Sequence, residues 1–167
     1  MRSITIGLCG IVIVAMCGVA FGQRERENRG KAPTDKAAYF SITGLKSDFK
    51  KMADKNVSNS IGLMDGGHFS LNIVHRQGKE DPQWHQDEVD LYIIQEGTAT
   101  MLTGGELLDP QPSGTNGDKR GSSIKGGVSQ VVKPGDVVFI PPGVPHQGIF
   151  NDPKGVTYLN IHFPGRK

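Results

Sequence analysis

Two periodicities divide the chain. Between about Gly44 and Lys55, Leu45, Phe49 and Met52 recur at i, i+4 and i+7, the spacing that puts apolar side chains on one helical face. Thr43 stands where an N-cap residue would accept the first free amides. Such a stripe predicts core packing and no chemistry. From about Ser70 the pattern changes to short β-branched and aromatic runs cut by Gly, Pro and Asp. These runs are Ser70 to Arg76, Asp90 to Gln95, Thr98 to Leu102, Ser129 to Val132, Asp136 to Ile140, Gln147 to Phe150 and Val156 to Phe163. Short strands with turn signals between them predict an all-β domain, an antiparallel sandwich or barrel preceded by a short helix. Glu96-Gly97 is expected to join two strands as a tight hairpin, and Gly104-Gly105 to close the second of them. Asp109 to Gly121 has no apolar pattern and reads as either ornament or the rim of a site.

The first residues read as an address. Met1-Arg2, an apolar run from Ile4 to Phe21 and the small-x-small pattern Ala20-Phe21-Gly22 form a secretory signal peptide over residues 1–22. An uncleaved membrane anchor is the alternative, and internal Gly7, Gly10 and Gly18 together with the cleavage pattern favour removal. The expected location is therefore secreted or periplasmic, with no membrane contact after cleavage. Residues 23–40, which include the mixed-charge run Arg24 to Lys31, are expected to be a flexible tether, and residues 41–167 one folded domain.

Composition closes off several functions. Both cysteines, Cys9 and Cys17, lie in the removed segment, which excludes a disulfide scaffold, thiol catalysis and cysteine-ligated zinc in the mature chain. The 19 basic and 17 acidic residues form no basic stripe, so nucleic acid is not an expected partner.

Two segments each place a histidine at a fixed distance from turns that bracket strands. Pro134-Gly135-Asp136 forms a turn, Val137 to Ile140 a strand and Pro141-Pro142-Gly143 a second turn, followed by Val144-Pro145-His146. Proline fixes φ and glycine supplies positive φ, so His146 is aimed by rigid backbone. This segment resembles the second motif of the cupin superfamily, G-x5-P-x-G-x2-H-x3-N. Gly135, Pro141, Gly143 and His146 match it, and Asn151 falls one residue late. The first motif, H-x-H-x(3,4)-E-x6-G, is matched in part. Counting back from Gly97, Asp90 stands at the glutamate, His85 at the second histidine and Gln83 at the first. The piece QWHQDEVDLYIIQEGTATMLTGG is similar to a subgroup of small cupins in which that glutamate is commonly an aspartate and the first histidine is absent.

The resemblance covers roughly Ser70 to Phe163 and implies a jelly-roll barrel, a double-stranded β-helix, holding one divalent metal in its mouth. Carried over, the ligands are His85, Asp90 and His146, with Gln83 as a weak fourth. The gap between the motifs exceeds the family's, which makes Asp109 to Gly121 an inserted hairpin loop. Beside this, two imidazoles and a carboxylate on neighbouring strands form a facial set that suits Fe(II), Mn(II), Ni(II) or Zn(II) and leaves positions open for substrate or water. An amide such as Gln83 is a poor ligand for these ions. Asp90 shares a strand face with Tyr92 and Ile94; Glu88 has the same parity and is second choice for the carboxylate, while Asp87 is expected to face solvent.

His75 shares a face with Leu71 and Ile73, and His162 with Tyr158 and Asn160. Both could line the cavity, and the favoured reading is paired sheet histidines. His68, after Gly66-Gly67, reads as a turn residue, and Trp84 and Tyr92 as either an aromatic wall for a ligand or plain packing. The function expected is an exported metal-dependent cupin binding a small polar molecule, acidic or sugar-derived. The alternatives are a metal-dependent dioxygenase or isomerase, and a non-metal binding or assembly module. Association as a homodimer stays open.

Overall fold

The computed structural model describes residues 26–28, 30–54, 58–114 and 116–165. The signal-peptide reading of residues 1–22 lies outside them. The strands are β1 (Arg26–Asn28), β2 (Asn59–Asp65), β3 (Ser70–Arg76), β4 (Gly78–Lys79), β5 (Gln83–Trp84), β6 (Glu88–Glu96) and β7 (Ala99–Thr103). After them come β8 (Glu106–Leu108), β9 (Gln111–Pro112), β10 (Lys119–Arg120), β11 (Ser123–Lys125), β12 (Val128–Val132), β13 (Val137–Ile140), β14 (His146–Phe150) and β15 (Val156–Pro164). One helix, α1 (Ile42–Asp54), precedes β2. One sheet has the order β1-β2-β3-β15-β6-β13, and the other runs β12-β7-β14-β5-β10-β9 with β4 also on β14.

Period two along each strand decides what the two sheets share. Tyr92 and Ile94 of β6, Val74 of β3 and Val156 and Tyr158 of β15 meet Ala99 and Met101 of β7, Val132 of β12 and Phe150 of β14 in one buried cluster between the sheets. This is a jelly roll, the all-β double-sheet architecture expected. A second cluster lies outside the first sheet, where Phe49 and Met52 of α1 cover Ile61, Leu63 and Ile73, with Leu45 at its margin. The helical stripe is thus core packing. Its cap, however, is Ser41 and not Thr43: the Gly44 amide donates to Ser41 Oγ at 3.1 Å and the Leu45 amide to the Ser41 carbonyl at 3.0 Å. Two hydroxyl residues only two positions apart made the start ambiguous.

Two other expectations are corrected. Glu96-Gly97 does not close a hairpin, because β6 lies in one sheet and β7 in the other. The turn is a corner, made at φ 79° by Gly97, where a Cβ would stand 2.4 Å from the Gly155 carbonyl oxygen. Part of the 23–40 stretch is engaged where a flexible tether was expected. Arg26–Asn28 pairs in parallel with β2, and Lys31 bridges Asp65. β2 would otherwise be an open edge, and its unpaired amides and carbonyls take a partner whatever its side-chain pattern.

Asp109 to Gly121 is an inserted hairpin. β9 pairs with β10, β8 with β11 at its base, and β10 continues onto β5 in the register Lys119 to Trp84 and Arg120 to Gln83. Of the two readings of this segment, the structure takes the rim.

Candidate metal centre

His146 stands three residues after Gly143, which lies at φ 78°, and directly after Pro145. The two motif segments are tied directly to one another. The Gly143 amide donates to the His85 carbonyl at 2.7 Å, and Trp84 Nε1 donates to the Gly143 carbonyl at 2.8 Å. Across the ladder His146 of β14 faces Gln83 of β5. The loop that carries His85 therefore sits on the turn that aims His146.

The two imidazoles converge on one carboxylate oxygen. His146 Nε2 lies 3.0 Å and His85 Nε2 3.3 Å from Asp90 Oδ2, and Asp90 and His146 are both 2% exposed. The other oxygen, Oδ1, meets His162 Nε2 at 2.5 Å and Asn160 Nδ2 at 3.4 Å, while Tyr92 donates its hydroxyl to Oδ2 at 3.3 Å. Burial would push the Asp90 carboxyl up, but the close approach of the His146, His162 and His85 rings outweighs it and holds it far below the usual carboxylate range. Burial likewise pushes His85 down, and its bonds to Asp90 and Asp118 overcome that and raise it to about 9.

The tautomers carry the chemistry. His146 Nδ1 lies 3.1 Å from the Val144 carbonyl and His85 Nδ1 2.8 Å from Asp118 Oδ2, both pure acceptors, so each Nδ1 carries the proton. In the neutral rings each Nε2 is then a bare lone pair aimed beside a carboxylate oxygen. His146 Nε2 is buried without a hydrogen-bond partner although Asp90 Oδ2 lies 3.0 Å away. In the protonated ring His85 pairs with Asp90 directly, and a divalent ion taking the place of that proton would meet the same atoms. His85, Asp90 and His146 offer ligand atoms all within 4.8 Å of one another, so this donor set fits a divalent ion.

The remaining residues fall into place around this centre. Gln83, His85, Asp90, Tyr92, Tyr158, Asn160 and His162 line a cavity of about 80 Å³ with Val74, Arg76 and Glu80. Gln83 thus faces the same space as His85. Glu88 stands at the mouth, 3.8 Å from His162 Nδ1, and with His85 and Asp118 forms a second ligand-like group there. His75 belongs to the opposite face of β3. It is buried and its Nδ1 bonds Thr157 Oγ1 at 2.9 Å, so it packs in the sheet as expected, but its Nε2 is buried without a hydrogen-bond partner and the ring is only half satisfied. His162 is paired as well, but its partner is Asp90, and it borders the cavity. Trp84 has the parity opposite to Gln83 and His85 and holds Lys119 4.8 Å over its ring, outside the cavity; Tyr92 is the aromatic inside.

Sequence reading missed Asp118 and undervalued His162. Asp118 sits in the inserted hairpin, where its two oxygens take the His85 ring and the Gln86 amide, the latter at 3.0 Å. Nothing local marked it. For His162 the signal was its shared face with Asn160 and Tyr158, but only the pairing of β15 with β6, which sets His162 opposite Asp90, shows what that face meets.

The fold is that of a small cupin-like jelly roll. Residues 119–167 match the AraC-like ligand binding domain family. Among solved structures, a cupin-2 domain containing protein from Shewanella frigidimarina superposes with a TM-score of 0.50 at 15% identity, covering 74% of this chain and 94% of that one. A Bacillus halodurans protein gives 0.51 at 15% identity over 72% of this chain and 80% of that one, and a Thermus thermophilus protein 0.50 at 15% over 71% and 96%. At such identities the likeness is one of fold. No curated protein sequence matches the chain.

Proposed function

We propose that this chain is an exported cupin that holds one divalent metal ion on His85, Asp90 and His146 and binds a small polar molecule beside it in the barrel. The observation that carries the reading is the convergence of His85 Nε2 and His146 Nε2 on the buried Asp90 carboxylate, with ligand atoms of all three residues within 4.8 Å of one another. A match to a ligand-binding domain family over residues 119–167 supports the small-molecule half of it. Bound there, a metal supplies a Lewis acid with positions open to the cavity. The protein supplies the rest. Val144 and Asp118 fix the ring orientations, and Tyr92, Asn160 and His162 hold the carboxylate.

The test is metal analysis of protein purified without a chelating tag, for the wild type and for His85→Ala and His146→Ala. About one equivalent of divalent metal is expected in the wild type. In either variant, which still shows the far-ultraviolet spectrum of a β protein, affinity drops by orders of magnitude, since a buried ion does not replace a lost imidazole with loose water. Unchanged metal content in the variants sinks the ligand assignment. Mass spectrometry of the same material from its native host addresses export. A chain starting at Gln23 supports it, and a soluble cytoplasmic pool retaining Met1 rules it out.

A further inference from the structure

Opposite the histidines, the same cavity is lined by a buried cation. Arg76, the last residue of β3, has a side chain only 11% exposed. Its Nε donates to Glu80 Oε1 at 2.6 Å, and its Nη1 to the carbonyls of Asn59 at 2.9 Å and His75 at 3.1 Å. These bonds lock the plane of the guanidinium. Its remaining nitrogen, Nη2, meets no acceptor among the described residues, although the side chain borders the cavity that His85, Asp90 and His162 border from the other end. Between the two ends stand Val74, Tyr92 and Tyr158, an apolar and aromatic wall.

A guanidinium fixed by three bonds with one nitrogen left over is a poor device for stability alone. Nη2 is not among the sealed, partnerless atoms of the core, and a plain ion pair with Glu80 would not require the group to face an opening. It is a good device for recognition, because the donor direction is set in advance and no rotamer entropy is lost on binding. From this we infer that Arg76 is the carboxylate subsite of the barrel, and that the ligand is a small carboxylic acid with a second oxygen function, a hydroxy or oxo group, directed at the histidine end. The inference rests on the metal reading for that second anchor.

Two further observations narrow the ligand. The cavity, about 80 Å³, admits only a few heavy atoms, which excludes an oligosaccharide or a peptide from its interior. The charges favour an anion, since Arg76 and a divalent ion together outweigh the two lining carboxylates, Glu80 and Asp90. Charge-assisted bonds are about twice as strong as neutral ones, so an acid should be preferred over its amide.

The probes are glycolate and its neutral counterpart glycolamide, titrated calorimetrically into Mn(II)-loaded protein. Wild type should bind glycolate at least tenfold more tightly than glycolamide. Arg76→Gln should erase most of that preference, and Arg76→Lys, which keeps the charge without the fixed planar donor, should reduce it. Equal binding of the two probes by wild type overturns the inference even if neither variant folds. So does a folded Arg76→Gln that keeps the preference, since the metal alone would then be its source. Metal uptake is measured first on the same sample. A chain that takes up no metal sinks the metal reading and leaves the subsite to be tested with acetate against acetamide, whose carboxyl end has only Arg76 to meet. Absence of an acetate preference there sinks the subsite.

Discussion

Gln83 occupies the wall position from which a third imidazole would reach the centre. It shares the inward face of its segment with His85 and stands across the ladder from His146. An amide oxygen binds borderline divalent ions far less well than imidazole does. Gln83→His is therefore expected to raise affinity for Zn(II) or Ni(II) by on the order of tenfold or more, about 1.4 kcal/mol. Titration calorimetry of the two proteins checks this, and a fall in affinity would show that residue 83 does not join the ligand set. At this scale the sequence was informative wherever one strand or one turn sets the geometry. The spacing of Gln83, His85 and Asp90 before Gly97, and of His146 after Gly143, is local, and the structure brings those residues to one place. His162 and Arg76 were less legible. Both reach the cavity through the pairing of β15 with β3 and β6, which joins residues far apart in the chain, and no local spacing encodes a register between distant strands.

The element that departs most from its sequence reading is the insertion between β8 and β11. Its glycines and polar residues gave no period, yet β9 and β10 pair with each other and β10 docks on β5 beside Gln83. Backbone pairing, not side-chain pattern, holds it, which is why only its turn content was visible beforehand. It carries Asp118 to the His85 ring, the carboxylate–histidine arrangement that fixes tautomer and raises ligand basicity. The second group of ligand-like atoms at the mouth, His85, Glu88 and Asp118, is read the same way, since His85 Nδ1 is already committed to Asp118. Asp118→Asn keeps the size and an acceptor oxygen and removes the charge. Metal affinity should fall by about 10–100-fold with the fold intact. Equilibrium dialysis measures it, and an unchanged dissociation constant would make the hairpin an ornament after all. The corner at Gly97 shows a parallel limit. A glycine between two strands announces a turn, but whether the second strand stays in the sheet or crosses to the other depends on partners outside the window, here β15 for one strand and β14 for the other.

For the molecule as a whole, the charges gathered around Asp90 make the metal-free protein sensitive to pH. His85 titrates at about 9 when folded, because its bonds to Asp90 and Asp118 outweigh the opposing effect of burial, against about 6.5 unfolded. A group whose folded pKa is raised contributes stability that is fully present below the unfolded value and is lost as pH rises through the folded one. The metal-free melting temperature should therefore decline between about pH 6.5 and 9.5, by on the order of several degrees for a domain of this size. Below that window the slope is confounded by His75. Burial, helped by the neighbouring Arg76, lowers its pKa, so acid destabilises the fold there. Above it Tyr92, pushed well up by burial and by the nearby Asp90 charge, adds its own term. Within the window a bound metal should act in the opposite direction. It replaces the proton on the His85 ring, so its affinity, and with it the stabilisation of the native state, rises as that proton becomes easier to remove. Melting curves with and without saturating Zn(II) should separate progressively from pH 6.5 to 9, and the His85→Ala protein should show neither the metal-free decline nor the separation. Parallel wild-type curves would mean that the ion, if bound at all, does not displace a proton from His85, and the centre would have to be sought on other residues.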